Sequence, residues 1–394
     1  MTKTESSKTI LKRRLAAGAA VSALVMLPVL PVFAGSGIST GGQEIVKTDR
    51  GDASLTIYGR VSPGIRYAHR PPYGEGNDRL AVDSGTHGGD RFGLIGDLGL
   101  PMGFRTGFVV ERGLRFDSGQ ENDPWNRQAF ASLSHEGYGT LFVGRVPTPQ
   151  FRFIDLYDPF EDAFDPRTTI VYIYNAVFDN ALMYDFPERN GFSLTIGGSK
   201  DTAGSRVADI TPNPGDVRAI VFAPRYDSGP FSSALFLTYH RLKNDNGHPL
   251  DGESVLVFDL FTGYDFGPVK LTGMFGLREA SSRDFIMDSA VNLNSQATRT
   301  VQWMGGVTVP LSEKKASVLA AYTGRRTSLV GEDSRAYSHM FSVGYTRVFR
   351  QYFRFYCGYA HIINSSAAKS AAGAVTLPGG LYQSLISVGI SFSF

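Results

Sequence analysis

The sequence predicts an all-β chain, a sixteen-stranded antiparallel transmembrane β-barrel, and three observations predict it. The last fourteen residues alternate with a strict period of two: Tyr382, Ile386, Val388, Ile390, Phe392 and the terminal Phe394 occupy every second place, with Ser384 as the exception. Between them stand Gln383, Leu385, Ser387, Gly389, Ser391 and Ser393, nearly all small or polar. Such alternation puts one face against an apolar medium and the other against a polar one, which a barrel in lipid requires. The same kind of run recurs along the chain between turn residues. Finally, the connections between runs alternate short and long.

Taken in order, the runs cover residues 54–67, 90–98, 104–116, 127–135, 140–146, 180–185, 192–200, 219–226, 231–241, 254–266, 269–277, 299–309, 316–325, 336–349, 352–364 and 381–394. Each is bounded by Gly, Pro, Asn, Asp or Ser clusters, such as Asp227-Ser228-Gly229-Pro230 and Gly267-Pro268. The long connections are residues 68–89, 117–126, 147–179, 201–218, 242–253, 278–298, 326–335 and 365–380, which makes eight long connections against seven short ones. Outer-membrane barrels show this asymmetry, with long loops outside and tight turns on the periplasmic side. Pairing the first run with the last closes the sheet and leaves no edge in lipid. Tyrosines and phenylalanines near strand ends, among them Tyr226, Phe231, Tyr239, Tyr264, Phe266, Tyr345, Phe349 and Tyr352, suit the two membrane interfaces.

The amino terminus carries Lys8, Lys12, Arg13 and Arg14, then an apolar stretch from Leu15 and a Val32-Phe33-Ala34 cleavage pattern. Residues 1–34 therefore read as a cleaved export signal, residues 35–53 as an extension of unassigned role, and residues 54–394 as the barrel. An uncleaved anchor helix is the other reading, and Pro28 and Pro31 oppose it. Five basic residues and one acidic residue lie in 1–34, so the chain's 39 basic and 37 acidic residues become 34 and 36 after cleavage. That balance implies no nucleic-acid partner. The single Cys357 excludes a disulfide framework, and no cofactor or metal motif is present in the sequence. The seven histidines are scattered without a serine-bearing motif, which speaks against an enzyme.

Several segments resemble the Gram-negative general porins, above all those of neisserial and β-proteobacterial type. They are Leu55-Thr56-Ile57-Tyr58-Gly59-Arg60, Arg91-Phe92-Gly93-Leu94-Ile95-Gly96, Arg127-Gln128-Ala129-Phe130-Ala131-Ser132-Leu133 and Gly139-Thr140-Leu141-Phe142-Val143-Gly144-Arg145. Leu156-Tyr157-Asp158-Pro159-Phe160 and Asn180-Ala181-Leu182-Met183-Tyr184 continue the series. The resemblance implies an outer-membrane homotrimer that passes small hydrophilic solutes and ions. It also implies a third external loop, here residues 147–179, folded into the lumen. Acidic residues on that loop, Asp155, Asp158, Glu161, Asp162 and Asp165, would face a basic wall of Arg60, Arg91, Arg127 and Arg145. Aromatic residues at the last and third-last positions, Phe394 and Phe392, resemble the terminal signal of outer-membrane barrels, which implies contact with the barrel-assembly machinery as well as with outer-membrane lipid.

Physical reasoning supports the wall independently, because an arginine at the lipid midplane costs about 2–4 kcal/mol and so points inward. Whether these arginines set a field across the pore or pair with acids to hold the loop stays open. Asp179 stands where the family often has a basic residue, which weakens the case for strong anion selectivity. Arg105 and Arg112 are candidate compensators, with Glu111 beside them. The rival channel reading is a substrate-selective pore for anions or saccharides.

Overall fold

The computed structural model describes residues 43–47, 52–69, 78–119, 127–161, 167–201, 217–243, 251–281, 296–311, 315–330, 335–350, 353–365 and 382–394. Its strands are β1 (Gln43–Lys47), β2 (Ala53–Val61), β3 (Gly64–His69), β4 (Arg79–Asp83), β5 (Arg91–Gly99), β6 (Phe104–Gly113), β7 (Gln128–His135), β8 (Gly139–Pro147), β9 (Val177–Asp185) and β10 (Phe192–Asp201). They continue as β11 (Val217–Ser228), β12 (Phe231–Leu242), β13 (Ser254–Asp265), β14 (Lys270–Ala280), β15 (Gln296–Leu311), β16 (Ala316–Val330), β17 (Arg335–Arg350), β18 (Phe353–Asn364) and β19 (Tyr382–Ser393). From β5 onward each strand pairs antiparallel with the next.

The barrel closes where β19 pairs with β3 and, at its end, with β2. Beyond the last strand residue, Phe394 exchanges both backbone hydrogen bonds with Gly59. β2 and β3 form one stave interrupted at Ser62-Pro63, and β4 and β5 form the stave beside it. Merging these pairs and setting aside the short β1 turns nineteen strands into a closed barrel of sixteen staves.

Two departures from the sequence reading lie in this seam. Residues 79–83, expected within the first long loop, extend the second stave opposite β3. Residues 84–90 then leave the ladder, with Gly85, Gly88 and Gly89 all at positive φ, a conformation that glycine tolerates. Pro63 opposite them lacks an N–H, so the ladder has little to lose at that height. The second departure concerns the extension: Gln43–Lys47 pairs with Ser54–Ile57, on the edge of β2 that β19 ends too soon to cover. The expected export signal lies outside the described residues.

Alternation along the staves separates two faces. On β13, Val255, Val257, Asp259 and Phe261 are buried toward the lumen, while Leu256 and Leu260 are exposed. Tyr226, Phe231, Tyr239, Tyr264, Phe266 and Phe349 are likewise exposed, as an aromatic girdle needs. No described helix is long and apolar enough to cross a membrane.

Candidate functional site

The connection between β8 and β9 begins with helix α1 (Pro149–Tyr157), started by Thr148, whose Oγ1 accepts from the Phe151 N–H at 3.1 Å. The inner wall from β12 to β14 receives this helix. Phe153 and Tyr157 pack on Phe261 with ring centroids 5.5 and 5.7 Å apart. Lys270 Nζ donates to the Leu156 carbonyl at 3.2 Å.

Polar anchors then stitch the loop to the wall. Asp259 on β13 is fully buried and accepts from Gln150 Nε2 at 2.5 Å and from the Tyr172 hydroxyl at 2.5 Å. Gln302 on β15 accepts from the Ile173 N–H at 2.8 Å and donates to the Ile173 carbonyl at 2.9 Å. Arg325 on β16 donates to the Val171 carbonyl at 3.2 Å. Val171 also joins an apolar cluster with Ala68, Met340, Ala360, Ile362 and Leu385. The outgoing leg is thereby fixed to β12–β14, and the returning leg to staves from β13 round to the seam.

A second cluster sits on the staves of the seam. Glu111 on β6 is buried, and Arg127, just before β7, donates to its Oε1 at 2.5 Å. The Tyr58 hydroxyl of β2 donates to its Oε2 at 2.9 Å, and Arg91 Nε of β5 lies 3.5 Å from the same oxygen. Arg91 also donates to the Gly88 carbonyl at 3.0 Å, so the excursion of residues 84–90 helps to hold the guanidinium. Two guanidinium groups thus share one carboxylate, leaving a net positive charge. Arg60 lies within electrostatic reach of Arg91, Arg127, Arg354 and Glu161.

Glu161 gives the loop a charged link to β18. Its backbone is in the left-handed region at φ 55°, unusual for a residue with a side chain and a frequent mark of functional positions. The carboxylate accepts from Arg354 Nη1 of β18 at 2.9 Å, and the same nitrogen lies 3.1 Å from His87 Nε2. Burial works to raise the Glu161 carboxyl, but Arg354, His87 and Arg60 outweigh it and bring it down to about 2. More than half of the side chain is open to the lumen, so water screens this attraction. Burial, with Arg354 and Arg60 beside it, brings the His87 imidazole down to about 3.

Because the folded Glu161 carboxyl lies below its unfolded value, the latch is complete above that unfolded value and lost as pH falls through about 2. His87 stays neutral down to about pH 3. The expected result is an ion preference that these two groups leave unchanged from pH 8 to 5. A series of reversal potentials checks this, and a step removed by His87→Gln or Glu161→Gln would contradict it.

The structure distributes the residues singled out by sequence as follows. Arg91 and Arg127 meet at Glu111, and Arg60 stands close by. Arg145 pairs instead with Asp179 on the neighbouring stave at the base of the loop, so its charge is matched locally. Asp155 and Glu161 border a niche of about 290 Å³ between the loop and the wall. Asp158 is buried in the loop's own turn, accepting from the Phe160 N–H at 3.0 Å and the Thr168 hydroxyl at 2.8 Å. Asp162 and Asp165 lie outside the described residues.

Arg105 pairs with Asp97, and Arg112 stands cross-strand from Phe92 while Glu111 stands cross-strand from Gly93, so neither arginine takes the place of a basic residue at Asp179. Sequence reasoning missed Arg354 and the role of Glu111. Alternation offered a signal for Arg354, which shares its face with Tyr356, Gly358 and Ala360.

Comparison with known proteins fits this geometry. A family model described as Gram-negative porin matches residues 15–367. The chain belongs to the Gram-negative porin family. It is an outer-membrane porin, a barrel channel for small hydrophilic solutes and ions. An outer membrane porin protein of Bordetella pertussis is 28% identical over 335 residues, covering 75% of this porin and 85% of that protein. The anion-selective porin from Comamonas acidovorans superposes with a TM-score of 0.71 at 22% identity, over 87% of this porin and all of that chain. The trimer form of OmpT from Vibrio cholerae superposes with a TM-score of 0.61 at 13% identity, over 87% of this porin and 100% of that chain.

Proposed function

We propose that this porin conducts by general diffusion with a modest preference for anions, set at a constriction between residues 147–179 and the seam staves. The observation that carries this is the grouping of Arg60, Arg91, Arg127 and Arg354 around two direct carboxylate partners, Glu111 and Glu161. Asp155 tempers the excess, and the Arg145–Asp179 pair adds nothing to it. A narrow lumen with low-dielectric walls strengthens such a field. The anion selectivity named for the Comamonas structure supports the same sign.

The proposal extends to assembly and processing. Residues 1–34 are a cleaved signal, residues 54–394 form the barrel, and three copies assemble, a reading supported by the trimer form of the Vibrio structure. Phe392 and Phe394 serve as the signal to the assembly machinery. Arg91, Arg127 and Arg354 are committed to ion pairs with Glu111 and Glu161, which supports passive conduction rather than catalysis.

Planar-bilayer recording of the purified, folded protein tests the conduction reading. Large openings that arrive and close in steps of three are expected. Absent or very small conductance from a folded barrel would contradict it.

A further inference from the structure

Cations on the outward face near the long-loop end of the barrel have partners at several places. Arg299 donates to Glu279 at 2.6 Å on the adjoining stave. The Arg326 guanidinium stands 5.9 Å over the Tyr337 ring.

The staves β10, β11 and β12 break this pattern. Arg218 and Arg241 are direct cross-strand partners. The register that sets Ser199 opposite Ala219 carries Lys200 to the place beside Arg218. All three side chains are exposed, and among the described residues no acid pairs with any of them. Alternation fixes their direction. Ser199, Ala219 and His240, next to them in sequence, are buried on the lumen side. The next outward pair down the wall is Ile220 with Tyr239, both exposed.

Like charges directly opposite in a ladder destabilise it, and three in a row compound the cost. The height of the row explains what offsets it. Ile220 belongs to the apolar belt, and Tyr239 beside it is the residue type that marks the headgroup level. The connections leaving this end, residues 202–216 and 243–253, are long, which places the row on the external side of the outer membrane. The row therefore stands where lipid phosphates stand. Side chains on adjacent strands are about 4.5–5.5 Å apart, close enough for one phosphate to bridge two guanidinium groups.

We propose that Lys200, Arg218 and Arg241 form a binding site for the phosphate groups of an anionic outer-leaflet glycolipid. The site rests on the outer-membrane placement of the barrel and is independent of what the pore conducts. Two arginines give planar, bidentate recognition, and the lysine adds a point charge at the edge. Each cation near a lipid surface contributes enough that losing three weakens binding about 100-fold.

Native mass spectrometry of the detergent-purified protein tests the site. The probes are lipopolysaccharide carrying both lipid A phosphates, the same lipid dephosphorylated, and inorganic phosphate alone. Wild type is expected to hold the phosphorylated glycolipid about 100-fold more tightly than a Lys200→Gln/Arg218→Gln/Arg241→Gln variant. The Arg299→Gln/Glu279→Gln variant, altered on another part of the outward face, is expected to bind like wild type.

Equal binding by the triple variant, or equal binding of the dephosphorylated lipid, would overturn the proposal. Inorganic phosphate binding as tightly as the glycolipid would overturn it too, in favour of a free-anion site. The dephosphorylated arm needs no substitution, so the test survives a variant that fails to fold. Single-channel conductance of the triple variant is expected to match wild type, which separates a failure here from a failure of the porin reading.

Discussion

Glu111→Gln destabilises the folded barrel and shifts its ion preference further toward anions. Glu111 is buried between Arg91, Arg127 and Tyr58, and it is the acid that both guanidinium groups share. Glutamine keeps the volume and removes the charge, leaving two cations facing each other across a neutral amide. Breaking a buried pair costs about 3–5 kcal/mol, and the partial exposure of Arg127 puts this site at about the lower end. Denaturant unfolding of the refolded variant measures the first effect, and the reversal potential in a salt gradient measures the second. A variant as stable as wild type with an unchanged potential would show that Glu111 neither holds nor balances the arginines.

Asp259→Ala has the second large effect, and it acts on the loop. Asp259 accepts from Gln150 on the outgoing leg and from Tyr172 on the returning leg, and Gln302 lies 3.4 Å away. Each buried donor left without an acceptor costs about 1–3 kcal/mol. Arg278, nearly fully buried and within electrostatic reach, also loses its compensating charge. The expected variant is less stable and conducts through a noisier, wider opening, because both legs of the loop lose the same anchor. Wild-type conductance and noise would mean that the apolar packing of Phe153, Tyr157 and Val171 holds the loop unaided.

The sequence made the barrel readable because lipid imposes a period of two and turn residues interrupt it. The final strand shows both, and every stave from β6 to β19 overlaps a run found by alternation. The seam was harder. Arg79–Asp83 is five residues long and is followed by a glycine-rich excursion, so its alternation is too short to register and its composition is that of a loop.

The site was legible where the arginines fall in segments that resemble the family, as Arg60, Arg91 and Arg127 do. Arg354 escaped because it meets Glu161 across 193 residues of chain, and barrel closure rather than spacing brings them together. Asp158 illustrates the opposite failure. An acidic residue on the loop looks like a pore group by type, yet the turn that reverses the chain needs its oxygens for the Phe160 and Thr168 N–H groups. Arg145 was read as wall by position, and its partner Asp179 belongs to the next stave.

The central claim is that arginines prevail over acids at the constriction, and the zero-current potential across a bilayer in a potassium chloride gradient tests it most directly. Wild type is predicted to give the sign of a channel that favours chloride. Arg60→Gln with Arg354→Gln is predicted to move the potential toward the potassium side. A wild-type potential of the potassium sign, or one that the double substitution leaves in place, would contradict the account.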